Sequence, residues 1–405
     1  MVILPYALRM KIQLQNIFYY PRIGGVETHT QYSAEYFIRH GDTATVLCSK
    51  HLPSQASEEI INGVPVTRHK DYRLFPPFSV FNPLYHVKRV ESFIGNNPPD
   101  ADVIWAGHPY YALASRRALP EMPVVFFHST LYATLLKYNY KNYSALVKTG
   151  FRLWNFQNTL IENTLLSQMD AVVVLSQSRK RETLDFIKGQ SRKIFVNPAG
   201  VDTEKFRPRP KDMQLMEEFR LPSDSRIILS ACRLSPEKNL EWLLHAFSMI
   251  QDADTYLVIV GDGIERPHLE KLAGTLNILH RVRFAGFRDD IARFYTVADV
   301  FVLPSIYEGF GLVYLEAMAS GVPCIGLKAN YPDIIVATEE IIQDGVTGYC
   351  VDPQSVPDLT DKIRALLFNP DLRRTMSVQA RDLCQKKYTW DQHILTMQEI
   401  MRGVI

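Results

Sequence analysis

The stretch Ser305-Ile-Tyr-Glu308-Gly309-Phe310-Gly311-Leu312-Val-Tyr-Leu-Glu316-Ala-Met-Ala-Ser-Gly321 decides how the second half of the chain folds. An apolar run from Val300 to Leu303 precedes it and predicts a buried strand. The turn glycines let the backbone approach a ligand closely, and the free amides of a helix that begins near Leu312 suit a phosphate group. The pattern therefore predicts a strand, a ligand-binding turn and a helix.

The two carboxylates of this stretch, Glu308 and Glu316, are eight positions apart. That spacing is about 12 Å along a continuous helix. It exceeds the roughly 5 to 9.5 Å between the carboxylates of a glycosidase, which flank a single bond. We therefore expect the two side chains to hold the two ends of one extended ligand. A helix start with a carboxylate on either side suits a sugar linked through a diphosphate to a nucleoside.

Glu308-x7-Glu316, with its Gly-Phe-Gly and Glu-Ala-Met neighbours, resembles the signature of the retaining glycosyltransferases of family 4. The resemblance implies the α/β GT-B fold, in which two Rossmann-like doubly wound domains face each other across a cleft. It implies that Glu308 lies beside the donor sugar and that Glu316 accepts hydrogen bonds from the ribose. Taken alone, the stretch leaves open an ordinary strand, turn and helix with solvated Glu residues.

The chain as a whole predicts two domains, because 405 residues exceed the size of one ordinary core. Its 45 basic and 43 acidic residues nearly balance, so nothing global indicates nucleic-acid binding. The five cysteines lie far apart without a CxxC pair, which favours reduced thiols and a cytoplasmic protein. No apolar run approaches the roughly 18 residues of a membrane span. Residues 1–9 lack signal-peptide features, and we interpret them as an upstream start or a loose tail.

The start of the first domain reads as a strand over 11–18, a turn with Gly24 and Gly25, and a helix over 26–39. The turn has no full GxGxxG fingerprint, so NAD is not inferred. It resembles the Gly-Gly-x-Glu loop of the family, matched by Gly24, Gly25 and Glu27, which implies a position across the cleft from the donor. A packing turn is the alternative.

Two histidines follow predicted strands of the first domain. Strands are predicted at 43–48, 102–106, 123–127, 171–175 and 193–197, with helices between several of them, which favours a parallel doubly wound sheet. Ligands of such sheets bind beyond the carboxyl ends of the strands, where His108 and His128 lie. The resemblance assigns His128 to the active-site histidine that reaches the donor sugar. His108 is an acceptor-binding candidate, and a structural role stays open for both.

The segment 131–161 is basic and aromatic and contains no Asp or Glu. Such a stretch, if helical, can lie on an anionic membrane surface and extend its lysines to the headgroups. Family members that glycosylate lipids often use this part of the chain in that way. A solvated face over a buried one is the equal alternative. The location we expect is the cytoplasm, with the inner face of the membrane as an open extension.

The domain boundary is placed near 207, where Asn197–Pro208 resembles the interdomain segment of the family, with Ala199 in the usual Asn place. Pro208 and Pro210 stiffen this short linker. The predicted domains are 1–207, binding the acceptor, and 208–385, binding the nucleotide sugar. Residues 386–405 are predicted to form a final helix that crosses back to the first domain.

Two cations follow the first predicted strand of the second domain, at 226–231. Ser235 is predicted to be an N-cap and Pro236 the first helical residue, which places Lys238 in the first turn of a helix. A cation there opposes the helix macrodipole and is easier to understand if an anion binds beside it. Arg233 and Lys238 resemble the donor-diphosphate clamp of the family. Unrelated surface charges are the alternative.

The remaining donor candidates come from later loops. Gly261 lies in a turn that follows the predicted strand 255–260, and Arg288 lies where family members place the nucleotide base. Residues 329–333 depart from the frequent Gly-Gly-x-Pro-Glu of the family, which puts inference of the donor sugar in doubt. The catalytic candidates are Glu308, His128, Arg233 and Lys238. The donor-binding candidates are Gly24, Gly25, Arg233, Lys238, Gly261, Arg288, Glu308, Gly309, Phe310, Gly311, Leu312 and Glu316.

The predicted chemistry is retaining transfer of a hexosyl group from a UDP-, GDP- or ADP-linked sugar to a glycan, lipid-linked or small-molecule acceptor. Neither a metal nor another cofactor is expected, because Arg233, Lys238 and a helix start can neutralise the leaving diphosphate. The two DxD triplets, 100–102 and 252–254, abut predicted strands and are poor metal sites. A nucleotide-sugar epimerase, a phosphorylase and a non-catalytic sugar-nucleotide-binding protein are the rivals; no motif for a pyridoxal-phosphate lysine supports the phosphorylase.

Overall fold

The structure, a computed structural model, describes residues 9–22, 24–70, 82–132, 134, 145–189, 193–353 and 355–405, with the backbone alone for 145–149. The chain separates into two compact units. The first unit runs to Leu175 and also includes Lys180–Pro198 and Trp390–Ile405. The second unit consists of Ser176–Arg179 and Ala199–Thr389.

The strands and helices alternate along both units. The strands are β1 Lys11–Gln15, β2 Thr43–Ser49, β3 Glu58–Ile61, β4 Val64–His69, β5 Val103–Ala106, β6 Val124–Phe127, β7 Ala171–Val174, β8 Ile194–Val196, β9 Arg226–Ala231, β10 Thr255–Val260, β11 Val282–Gly286, β12 Val300–Leu303, β13 Cys324–Leu327 and β14 Gly348–Val351. The helices are α1 Gly25–Arg39, α2 Asn82–Asn96, α3 Pro109–Ala118, α4 Ala145–Gln168, α5 Gln177–Phe186, α6 Met213–Glu218, α7 Leu240–Ser248, α8 Arg266–Thr275, α9 Ile291–Val297, α10 Leu312–Ala319, α11 Thr338–Ile341, α12 Val356–Phe368, α13 Pro370–Lys387 and α14 Trp390–Arg402. Single 3₁₀ turns lie at Pro236–Lys238 and Leu279–Arg281.

The first unit contains an eight-stranded sheet in the order β3-β4-β2-β1-β5-β6-β7-β8. All neighbouring strands are parallel except β3 and β4, which form an antiparallel hairpin. Strands β5, β6 and β7 have four residues each, and all of these residues are buried, because helices cover both faces of a parallel sheet. The predicted parallel sheet is therefore confirmed, while the β3–β4 hairpin was not predicted.

The second unit contains a six-stranded parallel sheet in the order β11-β10-β9-β12-β13-β14. Strand order reverses between β9 and β12, which are neighbours in the sheet although the chain visits β10 and β11 between them. The loops that leave β9 and β12 therefore start side by side at the carboxyl edge. Open α/β sheets bind their ligands at such a reversal. The α/β class with two doubly wound sheets is confirmed.

The predicted boundaries at 207 and 385 both lie within the second unit. The Val201 amide donates a hydrogen bond of 2.8 Å to the Tyr388 carbonyl, and Val201 forms a β-bridge with Thr389. These contacts attach the segment after Pro198 to the second unit. Helix α14 belongs to the first unit, where the Asn197 amide donates to the His393 carbonyl at 3.0 Å.

Candidate functional site

The loops that follow β9 and β12 bring Lys238 and Glu308 together. The Lys238 Nζ lies 2.5 Å from Glu308 Oε2, and the two side chains are only 12% and 19% exposed. Burial alone lowers the pKa of the Lys238 ammonium, but the adjacent Glu308 carboxylate outweighs it, and the pKa lies above its ordinary value. Lys238 therefore stays charged, with ammonium protons left for a further anion.

Lys238 lies in a helical turn that follows Ser235 and begins at Pro236, as predicted, but this turn is 3₁₀ and is not the first turn of an α-helix. Lys238 ends the 3₁₀ turn, and the left-handed residue Asn239, with φ 54°, separates that turn from α7. Ser235 occupies the N-cap position, but its hydroxyl donates to Glu237 Oε1 at 2.6 Å instead of capping an amide. The charge of Lys238 is thus explained by its pairing with Glu308 and not by a helix macrodipole.

Arg233 is the second cation of this loop and is tethered at one nitrogen. Its Nη2 donates a hydrogen bond of 3.1 Å to Glu237 Oε1. The Arg233 side chain is 65% exposed, whereas that of Glu237 is 2% exposed. Most of the guanidinium therefore faces solvent beside the Lys238 turn, where it can meet an anionic ligand.

Gly261 fits its position because the backbone of Cys232, which follows the neighbouring strand β9, approaches it closely. Its φ is +125°, and a Cβ there would lie 1.8 Å from the Cys232 carbonyl oxygen. The Cys232 amide donates to Val260 at 3.0 Å and the Gly261 amide donates to Gly286 at 2.8 Å. These bonds join the loops that follow β9, β10 and β11. A ligand contact by Gly261 stays a prediction.

The Glu308 loop is held on two sides by backbone hydrogen bonds. The Glu308 amide donates to the Ile335 carbonyl at 2.9 Å, and the Ile335 amide donates to Ile306 at 3.0 Å. The Ile306 amide donates to the Glu237 carbonyl at 2.9 Å. The segment that departs from the family pattern, 329–333, thus ends two residues before Ile335, the backbone partner of Glu308.

The start of α10 presents backbone and not side chains. Gly311 is the N-cap with φ +95°, and as a glycine it has no side chain that could cap the first amides of this helix. Phe310 is only 3% exposed and its ring centroid lies 6.2 Å from that of Tyr388. A ligand at Gly309–Leu312 can therefore contact the backbone, while the Phe310 ring packs in the core.

Glu316 is half-buried and receives a hydrogen bond of 2.9 Å from the Tyr295 hydroxyl to its Oε2. Burial raises the pKa of Glu316 to about 7, although Tyr295 and Lys205 lower it. A carboxyl group with this pKa changes charge near neutral pH. Tyr295 was not predicted as a partner of Glu316, because no local sequence pattern links two residues that meet only through packing of α9 and α10.

In the part of the chain that the structure describes, the Arg288 side chain pairs with carboxylates and not with another donor candidate. Its guanidinium donates to both Asp290 carboxylate oxygens at 2.8 Å and to Glu218 at 2.5 Å. These hydrogen bonds raise the pKa of Arg288 above its ordinary value. The guanidinium also faces the rings of Phe219 and Phe294. Its role in binding the base stays a prediction.

His128 directly follows β6 and is 1% exposed. Its Nδ1 lies 3.2 Å from the Thr183 hydroxyl, and its ring stacks near that of Phe126 at a centroid distance of 5.3 Å. The structure thus places His128 at a strand end, as predicted. Its contact with a donor sugar stays a prediction.

His108 is the N-cap of α3 and uses both ring nitrogens. Its Nδ1 accepts from the Tyr110 amide at 3.3 Å, so the ring proton is on Nε2, which lies 3.0 Å from the Tyr132 hydroxyl. Burial, helped by His86, lowers the pKa of His108 to about 3. These contacts give His108 a structural function, and acceptor binding stays a prediction.

Gly24 and Gly25 differ in what surrounds them. A Cβ at Gly24 would lie 2.4 Å from a Glu27 carboxylate oxygen, whereas none of the described residues beyond its chain neighbours and its own helix has an atom within 4 Å of one at Gly25. Burial raises the pKa of Glu27, against its own backbone hydrogen bond and Arg22. Glu27 therefore folds back over Gly24, and Gly25 is open.

The basic aromatic segment is described in part. Residues 133 and 135–144, with Lys137 and Lys141, lie outside the described residues. In the described part of α4, Leu153, Phe156 and Leu160 are 40%, 59% and 45% exposed. Across the described residues, no helix combines the length and the apolar character needed to cross a membrane.

Two family profiles match the chain in succession. Residues 23–205 match Glycosyltransferase Family 4, and residues 212–383 match Glycosyl transferases group 1. The chain belongs to glycosyltransferase family 4. The enzyme is 28% identical over 401 residues to an uncharacterized glycosyltransferase of Methanocaldococcus jannaschii, covering 94% of this chain and 95% of the relative. It is 26% identical over 401 residues to a GDP-mannose-dependent alpha-(1-6)-phosphatidylinositol monomannoside mannosyltransferase of Mycolicibacterium smegmatis, covering 95% and 96%.

Solved structures share the fold of this glycosyltransferase over almost its whole length. A sucrose-phosphate synthase of Thermosynechococcus elongatus superimposes with a TM-score of 0.80 at 22% identity, covering 98% of this chain and 99% of the other. HepE of Anabaena, solved in complex with UDP-glucose, superimposes with a TM-score of 0.73 at 20% identity, covering 98% and 100%. The fold of the family 4 enzyme is therefore GT-B.

Proposed function

We propose that this glycosyltransferase moves a hexosyl group, with retention and without a metal, from a nucleotide-diphosphate sugar to a glycan, lipid-linked or small-molecule acceptor. The observation that carries the proposal is the half-buried ion pair of Lys238 and Glu308, with Arg233 on the same loop as Lys238. Two cations at a sheet edge where the strand order reverses suit a diphosphate, and a carboxylate beside them suits sugar hydroxyls.

Each donor residue has a distinct role in this proposal. Lys238 and Arg233 stabilise the charge that develops on the departing diphosphate, and preorganised donors of this kind are worth several kcal/mol. Glu308 orients the sugar, backbone at Gly309–Leu312 contacts sugar and phosphate, and Glu316 accepts from the ribose. The UDP-glucose in HepE and the GDP-mannose dependence of the mycobacterial relative support a nucleotide sugar of either base.

A thermal-shift screen tests which nucleotide sugar the enzyme binds as its donor. The purified enzyme is heated with UDP, GDP, ADP and their common sugar conjugates in EDTA. A ligand at about 100 times its dissociation constant adds about 2.7 kcal/mol of stability. Stabilisation by one nucleotide family in EDTA is expected, and its loss in Lys238→Ala but not in the exposed control Lys271→Ala. No response to any nucleotide contradicts the proposal.

Among these three acceptor classes we infer the lipid-linked one, with α4 in contact with an anionic membrane from the cytoplasmic side. Leu153, Phe156 and Leu160 follow helical spacing on one face, next to the exposed Arg152. An apolar stripe beside basic residues is the pattern of a helix that lies on a membrane surface. The phosphatidylinositol mannoside acceptor in the name of the mycobacterial relative supports a lipid.

Vesicle co-sedimentation tests this contact. Vesicles with phosphatidylglycerol are expected to carry the enzyme down, and vesicles of phosphatidylcholine alone to carry much less. Phe156→Asp is expected to reduce binding, whereas Ile60→Asp, at a site 74% exposed on β3, leaves it unchanged. Equal binding by both variants contradicts the inference.

A further inference from the structure

The carboxylate of Glu237 is buried between groups of the candidate donor site. The residue is 1% exposed, and its Oε1 accepts hydrogen bonds from the Ser235 hydroxyl at 2.6 Å and from Arg233 Nη2 at 3.1 Å. Its Oε2 is also buried and has no hydrogen-bond partner among the residues that the structure describes. A buried carboxylate that is only half satisfied is costly for stability. This arrangement is therefore poorly explained by folding alone.

The backbone of Glu237 ties the same site together. Its carbonyl accepts a hydrogen bond of 2.9 Å from the Ile306 amide, two residues before Glu308. The backbone amide of its neighbour Lys238 closes the 3₁₀ turn by donating a hydrogen bond of 3.0 Å to the Ser235 carbonyl. Glu237 thus reaches Arg233 through its side chain, Lys238 through the turn, and the Glu308 loop through its backbone.

We propose that Glu237 is a positioning residue that holds the Arg233 guanidinium and the Lys238 turn in the geometry that receives the diphosphate of the donor. The inference rests on the proposed function and adds a residue to it. A free arginine side chain must lose rotamer freedom when it binds a ligand. A charge-assisted hydrogen bond from one guanidinium nitrogen to a fixed carboxylate removes part of that freedom beforehand and leaves the other nitrogens for phosphate.

Electrostatics and positioning make opposite predictions for Glu237→Gln. Removing a negative charge next to a bound diphosphate strengthens binding if charge alone matters. Removing the anchor of Arg233 weakens binding if positioning matters. The sign of the change in diphosphate affinity therefore separates a positioning role from an incidental charge.

The experiment is a calorimetric double-mutant cycle with UDP and with GDP. Glu237→Gln is expected to weaken binding of the preferred diphosphate about tenfold, the scale of a hydrogen bond to a charged group. In an Arg233→Ala background the same change is expected to have almost no further effect. Affinity for uridine or guanosine, which lack phosphate, is expected to stay within about twofold. The control Glu241→Gln, whose exposed carboxylate pairs with His268, leaves all affinities unchanged.

Tighter or unchanged diphosphate binding by Glu237→Gln overturns the inference, as do losses of equal size with and without Arg233. If Glu237→Gln fails to fold by thermal unfolding, Ser235→Ala decides, since it removes one partner of the carboxylate and keeps the charge. It is expected to weaken diphosphate binding about threefold with nucleoside binding intact, and no change overturns the inference. A wild-type enzyme that binds none of UDP, GDP or ADP overturns the proposed function, and this inference with it.

Discussion

The charge of Glu316 is expected to destabilise the folded enzyme as pH rises. Burial raises the pKa of this carboxyl from 4.5 to about 7, with Tyr295 and Lys205 lowering it. Between these values the folded protein keeps a proton that the unfolded chain releases. Because the unfolded state then binds fewer protons, the free energy of unfolding decreases as pH rises from 4.5 to 7. The difference between these two pKa values corresponds to about 3 kcal/mol at most.

The perturbation that isolates this charge is Glu316→Gln, which keeps the shape of the neutral side chain. The variant and the wild type are expected to unfold at nearly the same urea concentration at pH 4, and to differ by less than about 1 kcal/mol at pH 5. At pH 8.5 the variant is expected to be more stable by up to about 3 kcal/mol. Glu204→Gln is the matched control, because the Glu204 carboxylate is 83% exposed. A stability difference for Glu316→Gln that is the same at both pH values refutes the reasoning.

The ionisation of Glu316 is also expected to affect how tightly the enzyme binds the nucleoside diphosphate of its donor. If the ionised Glu316 accepts from the ribose hydroxyls, affinity of the wild type for the preferred nucleoside diphosphate increases as pH rises through about 7. Glu316→Gln is expected to bind more weakly, without that increase. Calorimetry at pH 6 and pH 8.5 measures both. A wild-type affinity that falls with pH contradicts a ribose-binding carboxylate.

Three further predictions concern stability, each measured by urea unfolding. Lys238→Met leaves the half-buried Glu308 carboxylate without its partner and is expected to cost about 2 kcal/mol, most of which a second change, Glu308→Gln, restores; additive losses contradict the pairing. Burial lowers the pKa of His393 to about 4, so the unfolded state binds the extra proton below pH 6.5 and stability falls by about 3 kcal/mol as pH drops to 4; His393→Gln is expected to flatten this slope. Gly261→Ala meets the Cys232 carbonyl and is expected to cost about 3 kcal/mol or more. Gly274→Ala lies inside α8, where the new Cβ meets no described atom within 4 Å beyond its own helix, and is expected to stabilise by about 0.5 to 1 kcal/mol.

Most of the fold could be predicted because buried parallel strands are continuous apolar runs. Val124–Phe127 and Val300–Leu303 are strands of this kind, and each was predicted within one residue. The hairpin of β3 and β4 was missed although its turn, Asn62-Gly63, is the usual two-residue signal. Both turn residues have positive φ, 50° and 82°. Short strands with exposed alternate residues give little apolar signal, and the dipeptide was the better indicator.

The site was predictable where one short loop contains its residues, and not where side chains meet through packing. Glu308 and Gly311 lie in a single turn, so the sequence presents them together. The partnership of Lys238 with Glu308 spans 70 positions and depends on β9 and β12 being neighbours in the sheet. The Tyr295 hydroxyl on Glu316 and the Ser235 hydroxyl on Glu237 depend on side-chain directions that local patterns do not specify.

Ser176–Arg179 belongs to the second unit although the residues on either side belong to the first. The Ser176 hydroxyl donates to the Gly309 carbonyl at 3.1 Å, and Arg179 Nη1 donates to the Tyr307 hydroxyl at 2.6 Å. A chimera made from two relatives is therefore expected to need residues 176–179 and the Glu308 loop from the same parent. A chimera that takes only 199–389 from another enzyme joins a foreign Glu308 loop to the original four residues. Exchanging 176–179 together with 199–389 keeps the Glu308 loop with the side chains that it contacts in its own parent enzyme.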